Sequence, residues 1–504
     1  MIQFDKGRRT KAAFAFLEWY NVFVAEDEKT FLHKFWHDFI KKWLSLEGLV
    51  KELSGWGISR ALILSCIFIG VYLVLAELVP NVLLFTASWA IALAPIWLPI
   101  GLGIGAWSAW IWYIQSLYLS GRDPILLEVR MPREVTKSPR AMEIALTYLS
   151  ISSGETTWIN RAWDGQVRPF FSLEIASFGG EIHFYIWCWR RYKETVEQAI
   201  YAQYPEVELV EVEDYASKFR YEPREHWVWG VEWPLMSYAG IGMGNFRINA
   251  YPPKSYIDFE LEKDPKEEFK VDPLANVLEF MSAIAPNEQL WIQMVIRKCG
   301  KKVIMGFFNP DDEDIKWVEM VKGEVEQLRF KAALKPSGKY EDDFPTEDDK
   351  KHEASAFPHP TERQRYQLQT LERHLAKYPF EVGMRGIYWV RGEMRGPIFT
   401  GFRWIWKPFG NPNFMTHLRP RKWHCDYDYP WQDINSLRWI NMGKRVHDAY
   451  RRRSFFHTPW ILPTNILTNE TLATLWHPPS RAVQTPGLQR IPATKAEPPP
   501  NLPR

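Results

Sequence analysis

The 504-residue sequence predicts an α+β protein with an N-terminal transmembrane helical hairpin and two ferredoxin-like (split βαβ) domains, the second elaborated. Three observations carry that prediction. Between Arg60 and Arg122 there is no Lys or Arg and a single carboxylate, Glu77, so the 59 residues from Ala61 to Leu119 are almost free of charge. Residues 126–212 read as strand, helix, strand, strand, helix, strand, the order of a split βαβ sandwich. A looser version of that order begins again at Tyr256.

The first 57 residues come before the apolar run. Arg8, Arg9 and Lys11 precede an apolar stretch from Ala12 to Val24 that imitates a signal peptide, but Glu18 and Asn21 interrupt its centre. From Thr30 to Leu53, Phe31, Phe35, Trp36, Phe39, Trp43 and Leu44 recur at helical spacing, with Lys34, Asp38, Lys41 and Lys42 opposite. Such a helix lies flat in the headgroup layer of the membrane, with Trp36 and Trp43 dipping in and Lys34, Lys41 and Lys42 meeting anionic lipid, or it packs on the folded domains.

The spans occupy residues 58–120. A hydrocarbon core about 30 Å thick is crossed by about 20 apolar helical residues, which gives two spans. Pro80 and Asn81 close the first, 58–79, and Pro95 and Pro99 disturb the start of the next, which is placed at 96–118. Lys41, Lys42, Lys51 and Arg60 precede the run and Arg122, Arg130, Arg133, Lys137 and Arg140 follow it, so the positive-inside bias predicts both flanks, and with them both termini, in the cytoplasm. Glu77 then falls at the far interface. Trp107, Trp110, Trp112 and Tyr113 crowd the end of the second span as an aromatic belt would, and Gly101 and Gly105 form one G-x-x-x-G that would suit a homo-oligomer.

In the first ferredoxin-like domain, 121–220, a strand at Leu126–Met131 is followed by a helix from Ser138-Pro139 to Leu149, Pro139 suiting the first helical position. Strands Phe170–Phe178 and Glu181–Trp189 meet at Gly179-Gly180, a hairpin signature. A helix, Tyr192–Tyr204, stops at Pro205, and Val207–Val212 returns as a strand. The second domain, 221–430, is expected to hold strand Tyr256–Glu262, a helix from Asp272 to Ile284 and strand Gln289–Ile296. Helices Asp314–Lys331 and Thr361–Lys377 then enclose an acidic insert, 341–351, before strand Phe380–Val390 and helix Ile398–Trp406. Residues 431–477 form a basic helical segment, with helices at Trp431–Arg453 and Asn469–Trp476, and 478–504 a Pro-rich tail expected to run as an extended linker.

Composition narrows the chemistry. Lys+Arg 62 against Asp+Glu 60 excludes a wholly basic nucleic-acid coat and an acidic disordered chain, although 23 Lys/Arg against 11 Asp/Glu from Lys351 onward concentrate positive charge in the last third. Four separated cysteines without a C-x-x-C argue against a zinc ribbon or a disulfide framework and fit a reducing compartment. No G-x-x-x-x-G-K-[ST] occurs: Gly300-Lys301 is followed by Lys302 and has Val295 where the first glycine belongs. Gly240, Gly242 and Gly244 lack the strand-to-helix setting of a nucleotide fingerprint. The nearest metal set, His417, His424, Cys425, Asp426 and Asp428, has no helical His pair to support it. No catalytic, cofactor or metal residue is assigned, and the chain is expected to be non-enzymatic. The most suggestive site is the basic helix, where Arg438, Lys444, Arg445, Arg451, Arg452 and Arg453 would neutralise phosphates of DNA or of the inner leaflet, or meet an acidic partner.

Several segments resemble the amino-terminal half of membrane-anchored HerA/FtsK-like motor ATPases of type IV secretion and conjugation systems, especially those of candidate-phylum bacteria. They are LLEVRMPREVTKSPRAME at 126–143, IHFYIWCWRRYKETVEQAIYAQYPEVELVEVEDY at 182–215 and VDPLANVLEFMSAIAPNEQLWIQMVIR at 271–297. NETLATLWHPPSRAVQTPGLQRI at 469–491 and EPPPNLP at 497–503 are similar to the passage leading into the motor domain. The resemblance implies a membrane platform that seats a P-loop motor ATPase beside secretion-channel subunits. With no P-loop before Arg504, the motor is expected to be encoded separately or lost.

Overall fold

A computed structural model describes residues 60–78, 80–132, 135, 137–151, 157–237, 250–261, 271–304, 307–333, 360–420, 422–424, 433–457, 460–481 and 483–491. The surface helix with Lys34, Trp36, Lys41, Lys42 and Trp43, the acidic insert 341–351, the glycine cluster 240–244, and Cys425, Asp426 and Asp428 lie outside the described residues.

Three apolar helices come first, α1 (Arg60–Leu78), α2 (Pro80–Ala92) and α3 (Ala94–Ser120). Pro80 opens α2 at a position where no N–H is needed. Between α2 and α3 the helical ladder is only nicked: Leu93 N–H donates to Trp89 O at 2.9 Å and Trp97 N–H to Leu93 O at 3.2 Å, while Pro95 has no N–H to give. Composition predicts two spans; among the described residues one helix, α3, is long and apolar enough to cross a bilayer, and α1 carries a shorter apolar stretch, Leu62–Leu75. Large apolar side chains such as Phe68, Ile91 and Leu102 stand exposed along these helices.

The chain divides into two compact units, Met1–Trp97 with Asp433–Asn441, and Leu98–Gln432 with Met442–Arg504. The second is built on β1 (Pro124–Pro132), α4 (Pro139–Tyr148), α5 (Trp158–Ala162), β2 (Phe171–Phe178), β3 (Glu181–Trp189), α6 (Lys193–Gln203) and β4 (Glu208–Val212). Then come α7 (Tyr215–Lys218), β5 (His226–Glu232), β6 (Leu235–Ser237), α8 (Leu274–Ser282) and β7 (Glu288–Lys298). A hairpin of β8 (Lys301–Ile304) and β9 (Phe307–Asp312) leads into α9 (Glu313–Ala333) and α10 (Glu362–Leu375), whose Thr361–Gln364 capping box satisfies its first turn. The remainder is β10 (Pro379–Arg391), α11 (Gly396–Arg403), β11 (Thr416–Leu418), β12 (Lys422–His424), α12 (Leu437–Arg451, of this unit from Met442 on), β13 (Asn465–Thr468), α13 (Asn469–Leu475) and β14 (Arg490–Ile491).

One mostly antiparallel ten-stranded sheet runs β12-β5-β10-β7-β2-β3-β1-β14, with β13 also on β10 and β4 also on β1. It contains the same strand order twice. The first block reads β4-β1-β3-β2, with α4 and α5 after its first strand and α6 after its third; the second reads β12-β5-β10-β7, with α8 after its first strand and α11 after its third. The blocks join through the antiparallel pair β2–β7, where Glu174 faces Gln293 and Ile175 faces Ile292. Strands β7 and β10 are buried along nearly their whole length, so they read as continuous apolar runs rather than alternating ones. Six fully buried tryptophans, Trp229, Trp233, Trp291, Trp389, Trp406 and Trp476, fill this core.

Two expectations are corrected. Residues 256–261 alternate like a strand but fold as consecutive turns: Asp258 N–H donates to Ser255 O at 2.9 Å, the Asp258 carboxylate accepts from Ser255 N–H at 2.8 Å, and Glu260 has φ 56°. The first strand of the second block is instead β5. The tail is no free linker as far as Ile491, because β14 pairs parallel with β1 and Ile182 N–H donates to Gly487 O at 2.8 Å. Residues 492–504 lie outside the described residues.

Candidate functional site: a basic cleft above a buried arginine

The predicted basic helix exists as α12, but its cations have different fates. It starts at Leu437 rather than Trp431, where Asp433 caps the Arg438 and Trp439 amides at 2.8 and 2.9 Å. Arg438 is buried, whereas Lys444 and Arg445 are exposed and form no ion pair among the described residues. Arg451 and Arg452 are exposed and both reach Asp448, at 3.1 and 2.8 Å. Arg453 has left the helix with φ 51° and is sealed from solvent.

Arg453 holds the junction of the two blocks. Its Nε and Nη2 donate to Glu174 at 3.0 and 3.1 Å, and Nη2 and Nη1 donate to Asp214 at 2.9 and 2.5 Å. Glu174 also accepts from Ser172 Oγ and Tyr215 Oη at 2.7 Å each, and from Gln293 Nε2 at 2.9 Å. A wholly buried carboxylate is tolerable only when its lone pairs are satisfied in this way. Burial alone would raise the Asp214 carboxyl, but the Arg453 charge and the hydrogen bonds it receives hold it below the ordinary value. Burial, reinforced by the Glu174 charge, pushes the Tyr215 and Tyr450 hydroxyls well up, so both stay protonated.

This buried ion cluster sets the walls of an open cleft of about 500 Å³. One wall runs from Ser217 through Lys218, Phe219, Arg220 and Tyr221, at the end of the short helix α7 that Asp214 caps through Ala216 N–H at 3.1 Å and Ser217 Oγ at 2.8 Å. The other is α12, with Lys444, His447 and Arg451. His447 Nε2 joins the walls by meeting Ala216 O at 3.1 Å, and burial lowers its pKa, which favours the neutral ring. Lys218 pairs loosely with Glu213 at 3.3 Å, both ends exposed, while Arg220 has no ion pair among the described residues.

Among the described residues no carboxylate lines the cleft, so what it offers chemically is attraction for an anion. Ser217 Oγ donates to Asp214, the carboxylate that Arg453 also holds. Of the sequence-predicted cations, Lys444 and Arg451 line the cleft, while Arg453 is buried against Asp214 and Glu174. Lys218 and Arg220 were missed. Their signal was the alternation of basic and aromatic side chains in Lys218-Phe219-Arg220-Tyr221. Among the described residues no three side chains could share a metal ion; His417 lies on β11, where burial and Arg419 lower its pKa.

No protein-family model, no curated protein and no solved structure matches this chain.

Proposed function

We propose that this chain is a non-enzymatic platform of the inner (cytoplasmic) membrane, with both termini cytoplasmic, that docks a P-loop motor ATPase of a type IV secretion-like or conjugation-like system. The observation that carries the anchoring is the run of exposed apolar side chains on α1 to α3, far more than a water-facing surface keeps. A helical hairpin of two spans accounts for it, and the cationic flanks orient it. The motor partner is supported by the resemblance of residues 126–143, 182–215 and 271–297. We read the two strand blocks as a tandem pair of split βαβ domains, on the strength of their shared order. Membranes carrying the intact chain, washed in carbonate and then solubilised, should yield it together with a P-loop protein. Release by carbonate, or ATP turnover by the purified chain alone, would overturn the reading.

The cleft favours a second reading, a membrane-anchored nucleic-acid-binding protein. Lys218, Arg220, Lys444 and Arg451 would then take phosphates, in place of the Arg451–Arg453 tract. Single-stranded oligonucleotide binding should fall with salt, and the slope should drop by about one for each of Arg220 and Lys444 replaced with Ala. Binding unchanged in the double variant removes this reading.

A further inference from the structure

Helix α3 changes character at Trp107. From Leu98 to Ala106 every residue is exposed. Beyond that point the stripe Trp107, Trp110, Ile111 and Ile114 turns onto folded protein, a spacing of one helical face. What it meets is α5 and the loop after it. Trp107 stacks on Trp158 with centroids 6.1 Å apart, Trp110 meets Trp163 edge-on at 5.6 Å, and Trp110 Nε1 donates to Ala162 O at 2.9 Å. Gly165, at φ +64°, lies so close that a Cβ there would be 2.4 Å from Ile114 O.

We propose that this tryptophan collar is the cytoplasmic membrane-interface element of the protein, and that the bilayer boundary lies at Trp107 rather than at the end of α3. The inference rests on the membrane-anchored reading above. Three physical facts support it. The polypeptide packed on the stripe includes non-helical backbone from Trp163 to Gly165, with Arg161 and Asp164 beside it, none of which a hydrocarbon core accepts. Trp158, Ile159 and Trp163 are nonetheless exposed beside the helix, the arrangement a headgroup layer favours, where an apolar body and a wet N–H are both accommodated. Ile111 and Ile114 are already covered by protein and need no lipid. A span of about 20 residues ending at the boundary then covers 87–106, across the Pro95 nick. The stretch from Ile111 to Ser120, about 15 Å of helix, stands outside the bilayer as a stalk fixed to the body. Relative to a span at 96–118, the boundary moves by 12 residues, about 18 Å.

The test uses single cysteines at two exposed stalk and span positions, Leu117→Cys and Leu102→Cys, in the full chain with Cys66 and Cys425 replaced by Ser. Vesicles with the cytoplasmic face outward are treated with a charged, impermeant maleimide before and after detergent. Leu117→Cys should react at least about tenfold faster than Leu102→Cys in intact vesicles, because a charged reagent is excluded from hydrocarbon, and detergent should remove the difference. Equal protection of both cysteines in carbonate-resistant membranes overturns the boundary and leaves the anchor standing. Release of the chain by carbonate overturns the anchor itself, and the boundary with it.

Discussion

The two strand blocks share an order but differ in how the second strand reaches the third. In the first block, Gly179 and Gly180, both at positive φ, turn β2 straight into β3. In the second block the chain leaves β7 and returns to β10 only after β8, β9, α9 and α10, whose Trp317, Val321 and Leu371 share a cluster with Ala250, Phe414 and Ile466. A sheet can accept such an excursion because the paired strands are registered by eleven residue pairs, Phe380–Lys298 to Val390–Glu288, rather than by their link. The blocks also differ in charge where they meet. The first contributes Glu174, paired with Arg453, and the second the amide of Gln293. The only guanidinium bound to Glu174 among the described residues comes from Arg453, so the first block cannot be completed until the chain beyond α12 arrives.

The largest test of that dependence is Arg453→Met. It leaves Glu174 buried without its cation and should cost about 3–5 kcal/mol, read as a lowered urea midpoint. Adding Glu174→Gln should recover most of the loss, since removing both charges is far less costly than stranding one. A single variant as stable as the parent would break the account of the junction.

Next in size is Gly386→Ala in β10, where a Cβ would lie 2.3 Å from the Trp233 ring and 2.6 Å from Phe402. Overpacking of that kind should cost about 1–3 kcal/mol. Gly323→Ala, in α9 of the excursion, meets nothing within 4 Å and should instead stabilise by up to about 1 kcal/mol through helix propensity. A lowered thermal midpoint for Gly323→Ala would show that this face of α9 is not open.

Acid should separate the regions too. Burial, with Arg373 adding to it, pushes His374 of α10 down to about 3 from 6.5. The unfolded chain therefore binds this proton before the folded one, and its contribution is lost as pH falls from 6.5 towards 3, by up to about 1.4 kcal/mol per pH unit. Asp214 is depressed below 3.8, so its contribution is present above that value and lost only as pH falls below it. Amides of α9 and α10 should lose protection against hydrogen exchange near pH 5 while those of β2 and β3 hold, and His374→Phe should abolish the early step.

The sequence made the first block legible because each element there obeys its own local rule, from Ser138-Pro139 at α4 to the glycine turn. It misplaced the second block's first strand because Tyr256, Ile257, Asp258 and Phe259 alternate as a strand would while Ser255 and Asp258 capture their own backbone. The true strand, His226–Glu232, is covered at Val228 through Val231, which hides the period of two. Arg453 was read as part of a solvated basic run. Its partners, Glu174 and Asp214, lie 279 and 239 residues away, a distance that no local pattern spans.

The smallest expected effect sharpens that last point. Lys444 and Arg445 belong to the same basic tract as Arg453 but stand in solvent without ion pairs among the described residues, so Lys444→Ala and Arg445→Ala should each change stability by less than about 0.5 kcal/mol. Helix α12 reaches both blocks, with Gly443 against Val228 of β5 and His447 on Ala216 of α7. If the helix were held across the junction by its surface charge, these variants would loosen it and raise hydrogen exchange in β5 and α7. If Arg453 and the apolar face hold it, exchange should be unchanged while anion binding in the cleft weakens for Lys444→Ala alone, since Lys444 lines it and Arg445 does not. Equal weakening by both would mean that the field of the whole helix, and not the cleft, attracts the anion.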